Sequence, residues 1–171
     1  MIRKAEYKDL DSILEIVEDA RNFLKSSGSK QWQEQYPARE DFFYDLENDY
    51  LYVCEEEGIL IGTASLVREK DENYDEIFSG KWLNEEPYYS VHRIAVRKEV
   101  RGLGISKILL QYLETLTLNS GVRNIKVDTT EENIIMKKLL ENNGYEKCGV
   151  IYLKRTETYN KRLAYQKILN A

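Results

Sequence analysis

The sequence predicts an α/β fold (an α+β mixed sheet) with helices on its faces. Two observations carry this. Short β-branched and aromatic runs alternate with helical apolar patterns in the order β-α-α-β-β-β-α-β-α-β-β. No repeat, low-complexity segment or evident boundary interrupts that order, so residues 1–171 are expected to form a single domain.

Residues 2–5 open as a short strand. Leu10, Ile13, Ile16, Val17, Ala20 and Phe23 or Leu24 then recur at helical spacing, with Asp9 placed to cap the start and "KSSGSK" to end it. "QWQEQYPAR" reads as a loop and "EDFFYDLEN" as a second, short helix. "YLYVCEE" and "ILIGTASLV" flank "EEG" as a hairpin. Residues 70–87 form a long polar connection, a length often tied to function, punctuated by Ile77, Phe78 and Trp82, which read as buried anchors. "YYSVHRIAV" is the next strand, and Ile105, Ile108, Leu109, Tyr112, Leu113 and Leu116 mark an amphipathic helix. "RNIKVDT" is a strand. Thr129 and Glu132 have capping-box spacing for a last helix with Ile135, Met136 and Leu139 inward and Gly144 as its stop. "YEKCGVIYL" and "KRLAYQKIL" close the chain as strands.

A net charge of −5 and a pI near 5.2 argue against nucleic acid as a partner, which would need a basic face. No apolar run nears the ~20 residues that cross a bilayer, so no membrane role is expected. "MIRKAEYKDL" lacks the apolar core of a signal peptide, which suggests a cytoplasmic protein. Cys54, Cys148 and the lone His92 have no metal-ligand spacing, so no metal is expected.

The motif that points to chemistry is "VRGLGISKILLQYL". A phosphate-binding P-loop would need glycine, not Ser106, before Lys107, and Ser or Thr rather than Ile108 after it. A dinucleotide fingerprint would need a third glycine where Lys107 stands. What remains is a glycine-eased helix start whose amides hold a pyrophosphate, with Arg101 and Lys107 adding positive charge, or a tight turn without a ligand.

"HRIAVRKEVRGLGISKILL" resembles the acetyl-CoA motif of the GCN5-related N-acetyltransferases (GNAT), Q/R-x-x-G-x-G/A after an apolar strand. Arg101, Gly104 and Ser106 hold its defined positions, Ser106 departing from Gly/Ala. "DTTEENIIMKKLLENNGYEKCG" resembles the family's second motif through Asn133, Gly144 and Tyr145. "QWQEQYP", "HRIAV" and "RLAYQK" are similar to a bacterial branch of the family. The resemblance implies a GNAT-like acyl-CoA N-acyltransferase fold and acetyl-CoA as co-substrate. It implies that backbone groups around Ile94, Ala95 and Val96 pair with the pantetheine arm. The amides of Arg101, Gly102, Leu103, Gly104, Ile105, Ser106 and Lys107 would hold the pyrophosphate, and Asn133 would sit near the pantetheine or thioester. The alternative has Ile94 and Val96 as core residues by their side chains, which is compatible with ligand contacts by their backbone, and Asn133 as a plain helix-start residue. Dimers are common in the family, so a homodimer is compatible with it.

Transfer to an amine needs a neutral amine, and an alkylamine is protonated at neutral pH. His92 is the only histidine and stands on the strand expected to border the thioester, as candidate base or water relay. "HRIAV" resembles the H-x-L-A-V of arylalkylamine acetyltransferases, where a histidine is proposed to relay protons. Strand alternation puts His92, Ile94 and Val96 on one side and Arg93 and Ala95 on the other. Many family members carry a tyrosine acid seven residues after the helix asparagine. Leu140 stands there, leaving Tyr145 and Tyr165 as substitutes or as core aromatics. For the acceptor, a small-molecule or peptide amine, Trp32, Tyr36, Trp82 and Tyr88 are candidate walls beside Gln31, Glu34, Glu85, Glu86 and Tyr89. The alternative has both tryptophans pinning loops to the core. The expected activity is N-acetyl transfer by direct attack; a non-catalytic acyl-CoA sensor and an O- or longer-chain acyltransferase are the rival readings.

Overall fold

The computed structural model describes residues 1–30, 32, 36–156 and 158–170. Its elements run β1 (Ile2–Lys4), α1 (Leu10–Ser26), α2 (Arg39–Glu47), β2 (Leu51–Glu56), β3 (Ile59–Val67), β4 (Tyr89–Val96), α3 (Ile105–Asn119), β5 (Asn124–Thr129), α4 (Ile134–Asn142), β6 (Glu146–Tyr152) and β7 (Lys161–Ile168). That is the predicted order, with short 3-10 turns added at Tyr7–Asp9, Glu72–Tyr74 and Lys98–Val100. The strands hydrogen-bond in the order β1-β2-β3-β4-β5-β7-β6. β4 and β5 are parallel and the ladders β1–β2, β2–β3, β5–β7 and β6–β7 antiparallel, a mixed sheet.

By packing, the chain divides into two compact units. The first, Met1–Val67 with Val91–Leu113, holds β1 to β3, most of β4, α1, α2 and the first half of α3. Leu10, Ile13, Ile16 and Val17 of α1 and Phe42 and Leu46 of α2 form a core with Leu51, Val53, Leu60 and Ala95. Removing this apolar surface from water is what holds the helices on the strands. The second, Arg68–Ser90 with Glu114–Ala171, holds β5 to β7, α4 and the long connection before β4. Its core gathers Tyr74, Ile151, Leu153 and Ala164, with Ile77, Trp82 and Tyr88 against them.

Three local expectations are corrected. Asp9 precedes α1, yet its side chain makes no cap bond to that helix. Its carboxylate accepts from the Glu6 N–H (2.7 Å) and from both terminal nitrogens of Arg3 (2.8 and 3.1 Å), because a guanidinium offers a two-pronged partner that a helix amide does not. Thr129 ends β5 and does not cap α4; Asn133 does, its side-chain oxygen accepting from the Met136 N–H at 3.1 Å. The face that α4 buries also differs from the expected one: Ile135 is 61% exposed and Leu140 is the buried residue. Phe78, expected inside, is exposed at its side chain and anchored by its backbone, which exchanges two 2.8 Å bonds with Val150.

Candidate coenzyme-binding and catalytic site

The glycine motif lies wholly in the first unit. β4 runs into the Lys98–Val100 turn, then Gly102 (φ +82°) and Gly104 (φ +83°) turn the chain into α3. L-residues rarely adopt these backbone angles. A Cβ built on either glycine meets nothing within 4 Å, so both face open space. Leu103 N–H donates to Val100 and Arg101 N–H, weakly, to Lys98, while Ile108 N–H to Gly104 closes the first helical turn. The N–H groups of Gly102, Gly104, Ile105, Ser106 and Lys107 take no backbone acceptor among the described residues. Five donors at a helix N-terminus, with glycines clearing the approach, fit an anion of pyrophosphate size.

Two features of this cradle differ from the charge argument or lie beyond it. The Arg101 guanidinium is engaged by α1, donating to the Asp19 carbonyl at 3.1 Å and lying 4.4 Å from the Phe23 ring centroid. Lys107, in the first turn of α3, is exposed, as is Lys98 before the glycines. The second feature is Gly62 on β3. A Cβ there would meet Ile105 Cγ2 and Leu109 Cδ1 at 3.1 Å and Val96 Cγ1 at 3.4 Å. The helix start is therefore seated directly on the strand backbone. The only sequence signal for this was a glycine inside an apolar strand, which often marks close approach.

β4 supplies the other part of the first-unit site. Val96 faces Gly62 and α3, while Ala95 packs into the α1–α2 core and Arg93 reaches Asp45 of α2, so these three alternate as predicted. Arg93 has φ +54°, a left-handed excursion in mid-strand. Its side chain is clamped there: Nε and Nη2 each donate to Asp45 at 2.8 Å, and Nη1 to the Tyr36 hydroxyl at 2.8 Å. Asp45 is fully buried and also accepts from Ser65 Oγ at 2.6 Å. Burial disfavours the Arg93 charge, but Tyr36 and Asp45 outweigh it and raise its pKa. His92 and Ile94, both half-buried, flank this clamp.

The remaining candidates lie in the second unit. Asn133 caps α4. The Tyr145 hydroxyl donates to Glu114 Oε2 at 2.8 Å, and Glu114 Oε1 accepts from Lys167 Nζ at 3.0 Å. Burial, then the Glu114 charge, pushes the Tyr145 pKa well up. Tyr165 is buried and donates to Glu141 at 3.4 Å; burial, then Glu141, pushes it to about 12. Leu140 is buried apolar packing.

Of the acceptor candidates, Gln31 and Glu34 lie outside the described residues. Trp32 packs on the first unit's core, its carbonyl accepting from Arg21 at 2.9 Å, and Tyr36 holds Arg93. In the second unit Trp82 and Tyr88 already flank a cation, the ammonium of Lys126, at 4.1 and 4.0 Å from their centroids. Glu85 and Glu86 are exposed. Cys54 and Cys148 are free thiols, and among the described residues no cluster of metal-ligating side chains occurs. Among them no helix is long and apolar enough to cross a membrane.

The Acetyltransferase (GNAT) family model matches residues 14–145. A GNAT-family acetyltransferase from Streptococcus agalactiae is 36% identical, with a TM-score of 0.89 over 100% of this chain and 96% of its own. The fold is shared at lower identity by a GNAT-family acetyltransferase from Listeria monocytogenes (23%, TM-score 0.76, 99% and 94% covered). It is also shared by a ribosomal-protein-alanine N-acetyltransferase from Brucella melitensis (23%, TM-score 0.69, 99% of each chain). No curated protein sequence matches the chain. With 132 of its 171 residues inside the family model and a 36% identical relative spanning its whole length, the chain belongs to the GNAT acetyltransferase family and is an acyltransferase that draws on acyl-CoA.

Proposed function

We propose that the protein is an N-acetyltransferase that moves an acetyl group from acetyl-CoA directly to a primary amine of a small molecule or peptide. The observation that carries this is the cradle at residues 101–107, two left-handed glycines open to solvent and five uncommitted amides at a helix start. When bound, acetyl-CoA supplies an activated acyl group on a thiol of low basicity. The chain's own groups would do the rest. Gly102, Gly104, Ile105, Ser106 and Lys107 would hold the pyrophosphate through their N–H groups. Ile94, Ala95 and Val96 would offer strand-edge backbone to the pantetheine arm. His92 would take the proton from the incoming ammonium, directly or through water, since a protonated amine has no lone pair to attack with.

Neither Tyr145 nor Tyr165 is assigned the acid's part in this reading. Each hydroxyl rests on a carboxylate, and a phenol pushed to about 12 at Tyr165 is a poor donor to a thiolate whose own pKa is about 8.5. The thiolate would leave without a tyrosine's help, in keeping with Leu140 at the usual tyrosine position. The rival is a sensor that binds acyl-CoA without turnover, favoured by that same leucine. A thiol-release assay with acetyl-CoA over polyamines, arylalkylamines, aminoglycosides and peptides separates the two. Turnover on any amine supports the transferase. Calorimetric binding of acetyl-CoA with no turnover across the panel supports the sensor. Turnover on hydroxyl acceptors only, or faster turnover with longer acyl-CoAs, would replace the N-acetyl assignment.

A further inference from the structure

Lys126, on β5, is 5% exposed, and no carboxylate of the described residues lies within ion-pair distance of it. Buried ammonium groups ordinarily have such a partner, because an unpaired charge out of water is costly. What surrounds this one is aromatic. The Trp82 and Tyr88 rings stand 4.1 and 4.0 Å from Nζ. Both rings are pinned: Trp82 Nε1 donates to the Tyr74 carbonyl at 2.9 Å, and the Tyr88 hydroxyl accepts from the Asp71 N–H at 3.0 Å. Tyr74 backs both rings at 5.4 and 6.0 Å and is itself held by its hydroxyl to Asp128 at 2.7 Å. The enclosure is therefore built independently of Lys126.

Nζ makes no hydrogen bond with the described residues, yet no fully sealed side-chain nitrogen among them lacks one, so the ammonium is not wholly sealed from solvent. Cation–π contact attracts the charge but uses none of its three N–H donors. The groups that act on it electrostatically are Cys148, Lys70 and Asp75, and burial leads in pulling its pKa down to about 8, the mark of an ammonium without adequate counter-charge.

We propose that Lys126, with Trp82 and Tyr88 as walls, is a binding site for the carboxylate of a small organic acid or amino acid. A singly charged carboxylate suits it better than a phosphate. One ammonium supplies the donors, no arginine of the described residues acts on it, and the opposite charges of Lys70 and Asp75 offset each other, so a single negative charge is what the site balances. This inverts the expectation that these rings receive a cationic amine, because the cation is already the protein's own. It concerns the second unit alone and stands whether or not the acyl-transfer reading holds.

The test uses the full chain with Trp32→Phe, which leaves Trp82 as the only indole. At pH 7 and constant ionic strength, Trp82 emission is titrated with sodium acetate and sodium succinate, with acetamide as the uncharged match and inorganic phosphate as the competing anion. A saturable change with the carboxylates and none with acetamide is expected. Lys126→Met should weaken it by roughly tenfold or more, and Lys126→Arg should retain most of it. In the unsubstituted protein, the 13Cε resonance of Lys126 should titrate at higher pH with acetate present, a readout that needs no mutant to fold. An unmoved Lys126 titration, or a Lys126→Met protein that binds acetate like its parent, overturns the site. Tighter binding of phosphate than of either carboxylate overturns the ligand class.

Discussion

The Arg93 guanidinium and the Asp45 carboxylate meet through two 2.8 Å hydrogen bonds with Asp45 wholly out of water, fixing α2 to the middle of β4. The left-handed backbone at Arg93 is the kind of conformation that costs about 1–3 kcal/mol and persists where surroundings over-determine it. Asp45→Ala leaves a buried guanidinium unpaired and should destabilise the protein by about 3–5 kcal/mol in urea denaturation. Arg93→Lys should not rescue the pairing, since one ammonium cannot make both arms of the fork. A cost below about 1 kcal/mol for Asp45→Ala would show that the clamp is not structural.

Gly104→Glu places a carboxylate where the pyrophosphate is proposed to sit and should abolish acetyl-CoA binding in calorimetry. Gly121→Glu is its control. It has the same φ of +83° and open surroundings but lies at the far end of α3, so it carries the same backbone strain away from the cradle. Equal affinity in the two folded variants would reject the cradle.

Gly62→Val drives side-chain atoms into Ile105 and Leu109, whose methyls are already 3.1 Å from a Cβ at that position. Overpacking of this kind costs about 1–3 kcal/mol. Because the first-turn amides ride on Ile105, acetyl-CoA affinity should fall along with thermal stability. Gly62→Val protein with unchanged melting temperature and coenzyme affinity would show that the helix start has room to shift.

His92→Ala should lower kcat by roughly 10²–10⁴ at neutral pH, with little change in the KM for acetyl-CoA. The measurement is a pH–rate profile on whichever amine the panel identifies. Wild-type turnover, or an unaltered acidic limb of the profile, would remove His92 from the proton path.

Lys126 should leave a signature in stability against pH. Its pKa falls from an ordinary 10.5 to about 8 in the folded protein. Between those values the unfolded chain holds the proton that the folded chain has released. Unfolding then takes up a proton, and stability should rise with pH through that window. The buried tyrosines act oppositely above pH 10, their folded pKa values being raised. The informative quantity is thus the difference between wild type and Lys126→Met from pH 8 to 10 in denaturant melts. The upward slope should vanish in the variant, and parallel curves would contradict the assignment.

The element order was legible in the sequence because strand and helix each impose their own period on apolar residues, and those periods switch cleanly along this chain. The glycine turn was legible for a related reason: left-handed φ at residues 102 and 104 leaves few alternatives to glycine, and α3 begins at Ile105 as the pattern predicts. Helix caps were less legible. A carboxylate or hydroxyl near a helix start has several suitors, and Asp9 went to Arg3 while Asn133 took the place expected of Thr129.

Tertiary structure alone decided what each charged side chain faces. Periodicity says that Arg93, Asp45, Arg101 and Lys126 are charged but not which atoms come within 3 or 4 Å of them, and those distances join residues as far apart as 48 positions or more. The fold and the glycine turn into α3 thus follow from local backbone preference. The buried ion pair under β4, the close seat of α3 on Gly62 and the aromatic enclosure of Lys126 arise only when distant segments pack, because pair energies and desolvation depend on distance in space and not along the chain.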